Sequence, residues 1–251
     1  MVTLKVSNVS LSYSSVKVLN DITFSLEENS VVSLLGPNGS GKTTLLKTID
    51  GLLRPNNGSV YVNCKLVHKL SRKDVAKVLG YVPQKLEVSE LTAFEFVLTA
   101  RRPYVDFDYS KEDKRIALDA LKEVGMLQFK DRLLTELSGG QLQKIYIARA
   151  LASGANVLLF DEPTSNLDPK ASSEVMRLLK RISLLSNKTI IISIHDLTLA
   201  YRYSDISIFL KDGKIVAIGK TDEVFNTDTI KLVYEIDAEV DKNKKIVIFY
   251  Y

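Results

Sequence analysis

Cysteine is nearly missing from this chain. Cys64 stands alone, so no internal disulfide can form and a reducing compartment is expected. The residue itself reads as a small apolar filler on a strand. Histidine is almost as scarce, with only His68 and His195, and no Cys/His spacing suggests a structural metal site. His68 reads as a surface residue in a connector. Long apolar runs are absent too: Val157–Phe160 and Ile190–Ile194 are of strand length, far short of the roughly 20 residues a bilayer span requires. The first residues show no basic region followed by an apolar one, so no secretory leader is expected. Charge is not concentrated either. The net +4 is spread along the chain, and Lys242-Asn243-Lys244-Lys245 is too short to argue for nucleic acid over a solvated surface. What remains is a cytosolic globular protein whose 251 residues, 45% apolar and 25% charged, suit one α/β domain with a subdomain.

What the chain does have is a glycine-rich turn in the right surroundings. Gly36-Pro37-Asn38-Gly39-Ser40-Gly41-Lys42-Thr43-Thr44 satisfies G-x-x-x-x-G-K-[ST]. The apolar run Val31–Leu35 before it reads as a strand, and a helix is predicted over 42–50 after it, so the strand–loop–helix context is present. Glycines let the backbone turn tightly and point successive N–H groups at phosphate oxygens. The helix adds the positive end of its dipole, Lys42 can reach the β- and γ-phosphates, and the Thr43 hydroxyl can ligate Mg²⁺. The bare motif arises by accident in roughly 1% of chains this long, before strand and helix are required of it.

Around this cradle the chain reads as alternating strands and helices. Residues 2–27 alternate at period two, an antiparallel edge sheet, with Tyr13 on the polar stretch Ser12–Ser15, where a ring can stack on adenine. Ser71 is a helix N-cap, and Val78–Val82 is a buried strand that ends at Pro83-Gln84. From Lys85 to about Leu134 the apolar spacing is helical with no strand. This implies a helical insertion whose Arg101–Asp108 segment is an irregular loop exposing aromatics among charges. Leu137-Ser138-Gly139-Gly140-Gln141 precedes a helix over 142–152 and forms a second anion-binding turn. Asn156–Phe160 is an apolar strand ending in Asp161-Glu162, and paired acids beside a nucleotide serve Mg²⁺ and the attacking water. Thr164–Pro169 is a turn before a helix over 170–185, and the strand Thr189–Ile194 ends at His195-Asp196. Gln84, Asp161-Glu162 and His195 thus each terminate a strand, and in a parallel sheet such ends converge at one edge. A hairpin over 206–218, two short helices and a strand over 245–250 complete the chain.

In this order the residues resemble the ATP-binding cassette family of ATPases, from about Val2 to Tyr250. The resemblance implies an α/β fold: a P-loop NTPase core sheet with an antiparallel β subdomain and an inserted α-helical subdomain. It spans 1–251 as a single ATPase domain, with 1–84 and 156–251 as core and 85–155 as the helical part. It further implies that Tyr13 stacks on adenine, that Gly36 to Thr44 is the Walker A loop, and that Gln84 touches Mg²⁺ or water. Leu137–Gln141 matches the signature motif, which in this family caps the γ-phosphate held by the opposite subunit. Asp161 resembles the Walker B aspartate supporting Mg²⁺, Glu162 the general base, Asp168 the end of the D-loop, and His195 the switch histidine. The implied active unit is a head-to-tail pair with a second copy of the chain, two ATP molecules lying at the interface.

Gly80–Gln84, Arg101–Tyr104 and Leu197–Ala200 narrow the resemblance to ATPase subunits of importers for iron chelates, haem or cobalamin. The implied partners are transmembrane permease subunits and, indirectly, a substrate-binding protein, with no nucleic acid. The implied location is the cytoplasmic face of the membrane. Two departures stand out: Ala100 where the subgroup commonly has glycine, and Asn29 where many cassettes have glycine before the cradle strand. Asparagine is the residue best able to take a left-handed turn there. The alternatives are a cassette of another transporter class and a soluble cassette acting on ribosomes or DNA. A nucleotide sensor without turnover conflicts with an intact Glu162 and His195.

Overall fold

The structure is a computed structural model and describes residues 2–250. Two long strands open it, β1 (Val2–Tyr13) and β2 (Val16–Glu27), joined by the two-residue turn Ser14–Ser15. Tyr13 is therefore the last residue of a strand rather than part of a loop, and it stands 48% exposed. Asn29 takes φ 63 in the link to β3 (Val31–Leu35), the left-handed turn expected of it. The cradle follows, then α1 (Lys42–Ile49), β4 (Asn57–Val62) and β5 (Lys65–Leu66). Cys64 is not on a strand. It sits exposed on the turn between β4 and β5, where Asn63 and Cys64 both have positive φ, because a two-residue hairpin matching strand twist needs left-handed residues.

Next come α2 (Arg72–Val78), capped by Ser71, and β6 (Leu79–Val82). The helical stretch holds α3 (Ala93–Leu98), a 3₁₀ segment Thr99–Tyr104, α4 (Lys111–Glu123) and α5 (Gly139–Ala152). The expected irregular loop at 101–108 is in part ordered. Arg101 is buried in an ion pair with Asp113 at 2.9 Å, its guanidinium lies 3.8 Å from the Tyr104 ring centre, and only Phe107 stands fully out at 98%. Sequence spacing showed the charges but not that one of them points inward to a partner. The remaining elements are β7 (Val157–Asp161), α6 (Pro169–Leu185), β8 (Thr189–Ser193), α7 (Leu197–Tyr203), β9 (Ile206–Lys211), β10 (Lys214–Lys220), α8 (Thr221–Val224), α9 (Thr227–Tyr234), β11 (Ala238–Asp241) and β12 (Ile246–Phe249).

Three sheets result. The antiparallel one runs β2-β1-β4-β5, the six-stranded one runs β10-β9-β3-β8-β7-β6, and β11 pairs with β12. All pairs from β9 across to β6 are parallel, with only β10 reversed. Every residue of β3, β7 and β8 is buried, as strands covered on both faces require. One core lies between the two larger sheets and includes Leu45, Leu46 and Ile49 of α1. The other fills the opposite face, where α5, α6 and α7 lie on the six-stranded sheet and α3 and α4 pack on α5. With β3, β7, β8 and β6 parallel, their carboxyl ends lie along one edge, and the cradle, Asp161-Glu162, His195 and Gln84 leave the sheet there. No helix among the described residues is long and apolar enough to cross a membrane.

Candidate active site

The cradle is shaped by backbone that only glycine accommodates. A Cβ on Gly36 would stand 2.1 Å from the Leu210 carbonyl oxygen, and one on Gly41, at φ 101, would stand 2.9 Å from that of Val18. The loop therefore packs against β2 and β9 with no room for side chains at those two points. Asn38, Gly39, Gly41, Lys42, Thr43 and Thr44 line one open cavity, to which Val18 and Glu162 also contribute. The Ser40 hydroxyl is buried on the same loop with no partner among the described residues. An orphaned hydroxyl is costly to bury; it lies on the Gly36 side of the loop and is not among the groups that line the cavity. Gly41 caps α1, whose first turn presents its backbone N–H groups to the cavity. Lys42 is 6% exposed and donates to the carbonyls of Gly36 at 2.8 Å and Pro37 at 3.0 Å. Burial pushes its ammonium below the usual lysine range, while the carboxylates of Glu162 and Asp161 pull it back up.

The strand ends meet as expected. Asp161, at the end of β7, is 2% exposed, and its Oδ1 accepts from the Thr43 hydroxyl at 3.0 Å. Glu162 follows at φ 49, and both of its oxygens are engaged. Gln84 Nε2 donates to Oε2 at 2.6 Å, and His195 Nε2 stands 2.6 Å from Oε1. Three strands thus deliver one carboxylate with two polar neighbours. A hydroxyl beside a carboxylate is a hard oxygen set of the kind Mg²⁺ takes. Among the described residues no cluster of three or more His, Cys, Asp or Glu could hold a metal unaided.

The second anion-seeking turn lies elsewhere. Ser138 caps α5 by accepting from the Gln141 N–H, and the Gln141 side chain accepts from the Ser138 N–H. Ser138, Gly139, Gly140 and Gln141 line a cavity shared with Asn166, Leu167 and Asp168, and no residue of the cradle lines it. Asp168 is the N-cap of α6, accepting from the Ala171 N–H at 2.9 Å. Tyr13 is absent from both linings. Sequence reasoning missed three contributors. Val18 lies at the cradle's side, Tyr81 donates to Asp161 Oδ2 at 3.2 Å, and Ser193 donates to Asp161 Oδ1 at 2.7 Å. The only available signal for the last two was a hydroxyl in a largely apolar strand, Tyr81 in β6 and Ser193 at the end of β8.

Known proteins place this geometry. The profile of the ABC transporter family matches residues 19–165. An uncharacterized ABC transporter ATP-binding protein of Methanocaldococcus jannaschii is 42% identical over 98% of this chain and 96% of its own. The iron(3+)-hydroxamate import ATP-binding protein of Bacillus subtilis is 40% identical over 96% of this chain and 90% of its own. Among solved structures, an inward-facing metal-chelate type ABC transporter superposes with TM-score 0.85 at 25% identity, over 100% of this chain and 97% of that one. A dimeric cassette in a post-hydrolysis state, bound to ADP and Pi, superposes with TM-score 0.77 at 32% identity, over 87% of this chain and 98% of that one. With a glycine cradle at one edge of the sheet and the Glu162 carboxylate held between Gln84 and His195, the chain belongs to the ABC transporter family as one of its ATP-binding, ATP-hydrolysing cassettes.

Proposed function

We propose that this cassette powers an importer of an iron chelate, haem or cobalamin, working as a head-to-tail pair with a second copy of itself beneath transmembrane permease subunits. Import of such cargo is what the names of several relatives state, among them the hydroxamate protein and a cobalamin import ATP-binding protein of Halobacterium salinarum, 34% identical. A substrate-binding protein would deliver the cargo to the permease. The cassette would then sit peripherally on the cytoplasmic face of the membrane.

In this reading the cradle N–H groups from Asn38 to Thr44 and the Lys42 ammonium hold the triphosphate, and Tyr13 offers its exposed ring to adenine. Thr43, Asp161 and Gln84 would hold Mg²⁺, which supplies charge neutralisation on the phosphates when bound. Glu162 takes the proton of the attacking water as general base, and His195 orients the carboxylate and reaches the γ-phosphate. The Ser138–Gln141 turn and Asp168 serve the partner's triphosphate, since both line a cavity that their own cradle does not enter. A pair built this way uses the same patch on both copies.

One observation carries the catalytic reading: both Glu162 oxygens lie 2.6 Å from polar atoms of strand-end residues, the geometry of an aimed base. Glu162→Gln should retain ATP, accumulate as a dimer in size-exclusion chromatography, and lose phosphate release by about 10²- to 10⁴-fold. Normal turnover in that variant would remove Glu162 as the base. Co-purification of the tagged wild type from membranes with a multi-span permease, and not with ribosomes, tests the transport role.

A further inference from the structure

Ser193 is a fully buried hydroxyl at the end of β8, after three consecutive isoleucines, and it stands directly opposite Asp161 across the parallel pair. A hydroxyl in such surroundings has to find partners in the protein. It finds two, and both belong to the reacting edge. Ser193 Oγ donates to Asp161 Oδ1 at 2.7 Å and accepts the backbone N–H of Glu162 at 2.9 Å. The same Glu162 N–H also reaches the Ser193 carbonyl at 3.1 Å. Glu162 needs this support. At φ 49 it is left-handed without being glycine or asparagine, a conformation that persists only where surrounding contacts impose it.

We propose that Ser193 is a positioning residue for hydrolysis: one side chain fixes both the rotamer of the Asp161 carboxylate and the strained backbone from which Glu162 is aimed. The inference rests on the reading of Asp161 and Glu162 given above. Asp161 Oδ1 receives Thr43 and Ser193 together, while Oδ2 receives Tyr81. Thr43 is also assigned to the metal and the phosphates, so it is free to leave Asp161 when nucleotide arrives. Ser193 has no such second task, so its bond to Asp161 need not break when nucleotide arrives. Its loss would free the Asp161 carboxylate to turn about Tyr81. It would also leave the Glu162 N–H with a single acceptor, and the base would swing by a fraction of its length. Displacements of this size are felt in the chemical step more than in nucleotide binding, which the cradle supplies.

The test uses the full chain with Ser193→Ala, Ser193→Thr and Ser193→Cys, each checked for folding by circular dichroism. Phosphate release gives kcat and KM, and calorimetry gives ATP affinity with and without Mg²⁺. Ser193→Ala should lower kcat roughly 10- to 100-fold with KM for ATP within about threefold. It should also shrink the gain in ATP affinity that Mg²⁺ confers. Ser193→Thr, which restores the hydroxyl and suits a strand, should recover kcat to within about threefold of wild type. Wild-type kcat in Ser193→Ala overturns the proposal, as does equal impairment of the alanine and threonine variants, which would point to packing. If Ser193→Ala does not fold, Ser193→Cys carries the comparison: a kcat loss at constant KM supports the role, and wild-type kcat or a failure to fold overturns it. Glu162→Gln separates the premise from the inference. Normal hydrolysis there removes the base, whereas a dead Glu162→Gln beside a normal Ser193→Ala defeats the positioning role alone.

Discussion

Two helices in this protein begin at a glycine-containing turn, and they are built in opposite ways. At the start of α1 the cradle is packed down at its two ends: Gly36 and Gly41 approach the backbone of β9 and β2, Lys42 is 6% exposed, and Ser40 keeps a buried unpartnered hydroxyl. At the start of α5 the turn is exposed and already content, since Ser138 and Gln141 cap one another. The far ends reverse the contrast. α5 is tied down where Arg101, paired with Asp113, also donates to the Ala152 carbonyl at 3.0 Å. α1 ends at Asp50, a largely buried carboxylate placed where the helix dipole is already negative. One helix is tightly packed at its start and carries a charge burden at its end. The other is relaxed at its start and pinned at its end. Under the function proposed above, a cradle that binds on its own would need a built pocket, while a turn that closes on a partner's ligand would need only a fixed direction.

The most direct way to break that comparison is to damage the two turns separately. Lys42→Ala should weaken ATP binding to the isolated chain about 100-fold, the order expected when a charged hydrogen-bonding group is removed. Ser138→Arg should leave that affinity within about twofold, because no part of the α5 turn lines the cradle, and should abolish both nucleotide-driven dimerisation and hydrolysis. Calorimetry and size-exclusion chromatography read the two effects. If Ser138→Arg cost as much monomer affinity as Lys42→Ala, the two turns would serve one site.

The pinned end of α5 gives a stability test. Asp113 accepts from Ser110 as well as from Arg101, and these bonds hold its carboxyl below the usual carboxylate range, the Ser110 side chain contributing most. Asp113→Ala would strip a buried guanidinium of its partner, a change that costs about 3–5 kcal/mol in comparable settings. A urea denaturation midpoint that moved by less than the equivalent of ~1 kcal/mol would mean that the Arg101 charge is solvated after all.

Much of this was legible in the chain because the motifs and the strand ends report on the same edge. G-x-x-x-x-G-K-T, the two acids after an apolar run, and Gln84 and His195 each mark where a parallel strand stops, and parallel strands stop together. Contacts made across strands left no such trace. Ser193 and Asp161 are separated by 32 positions and meet only through register. Arg101 and Asp113 look like two surface charges until the 3₁₀ segment turns one inward. Cys64 was misplaced for a related reason. Composition says that cysteine is usually buried, whereas the demand of the β4–β5 turn for positive φ decides its place.

The smallest expected effect is at the other helix end, and it depends on pH. Burial pushes Asp50 up to about 7 from the ordinary aspartate value of 3.8, with Arg72 opposing. Between those two values the folded chain keeps a proton that the unfolded chain has released. Stability is therefore fullest below pH 4 and is lost as pH rises through about 7. Asp50→Asn keeps the shape of the side chain and cannot ionise. Its advantage over wild type should be negligible near pH 4, grow through neutrality, and level off above pH 7; the full shift corresponds to ~4 kcal/mol, which water reaching the partly exposed carboxylate reduces to the order of 2 kcal/mol. Urea titrations from pH 4 to 8 measure that difference. A gain that did not change with pH would show that the Asp50 carboxylate is already hydrated, and the two helix ends would then differ in packing alone and not in charge.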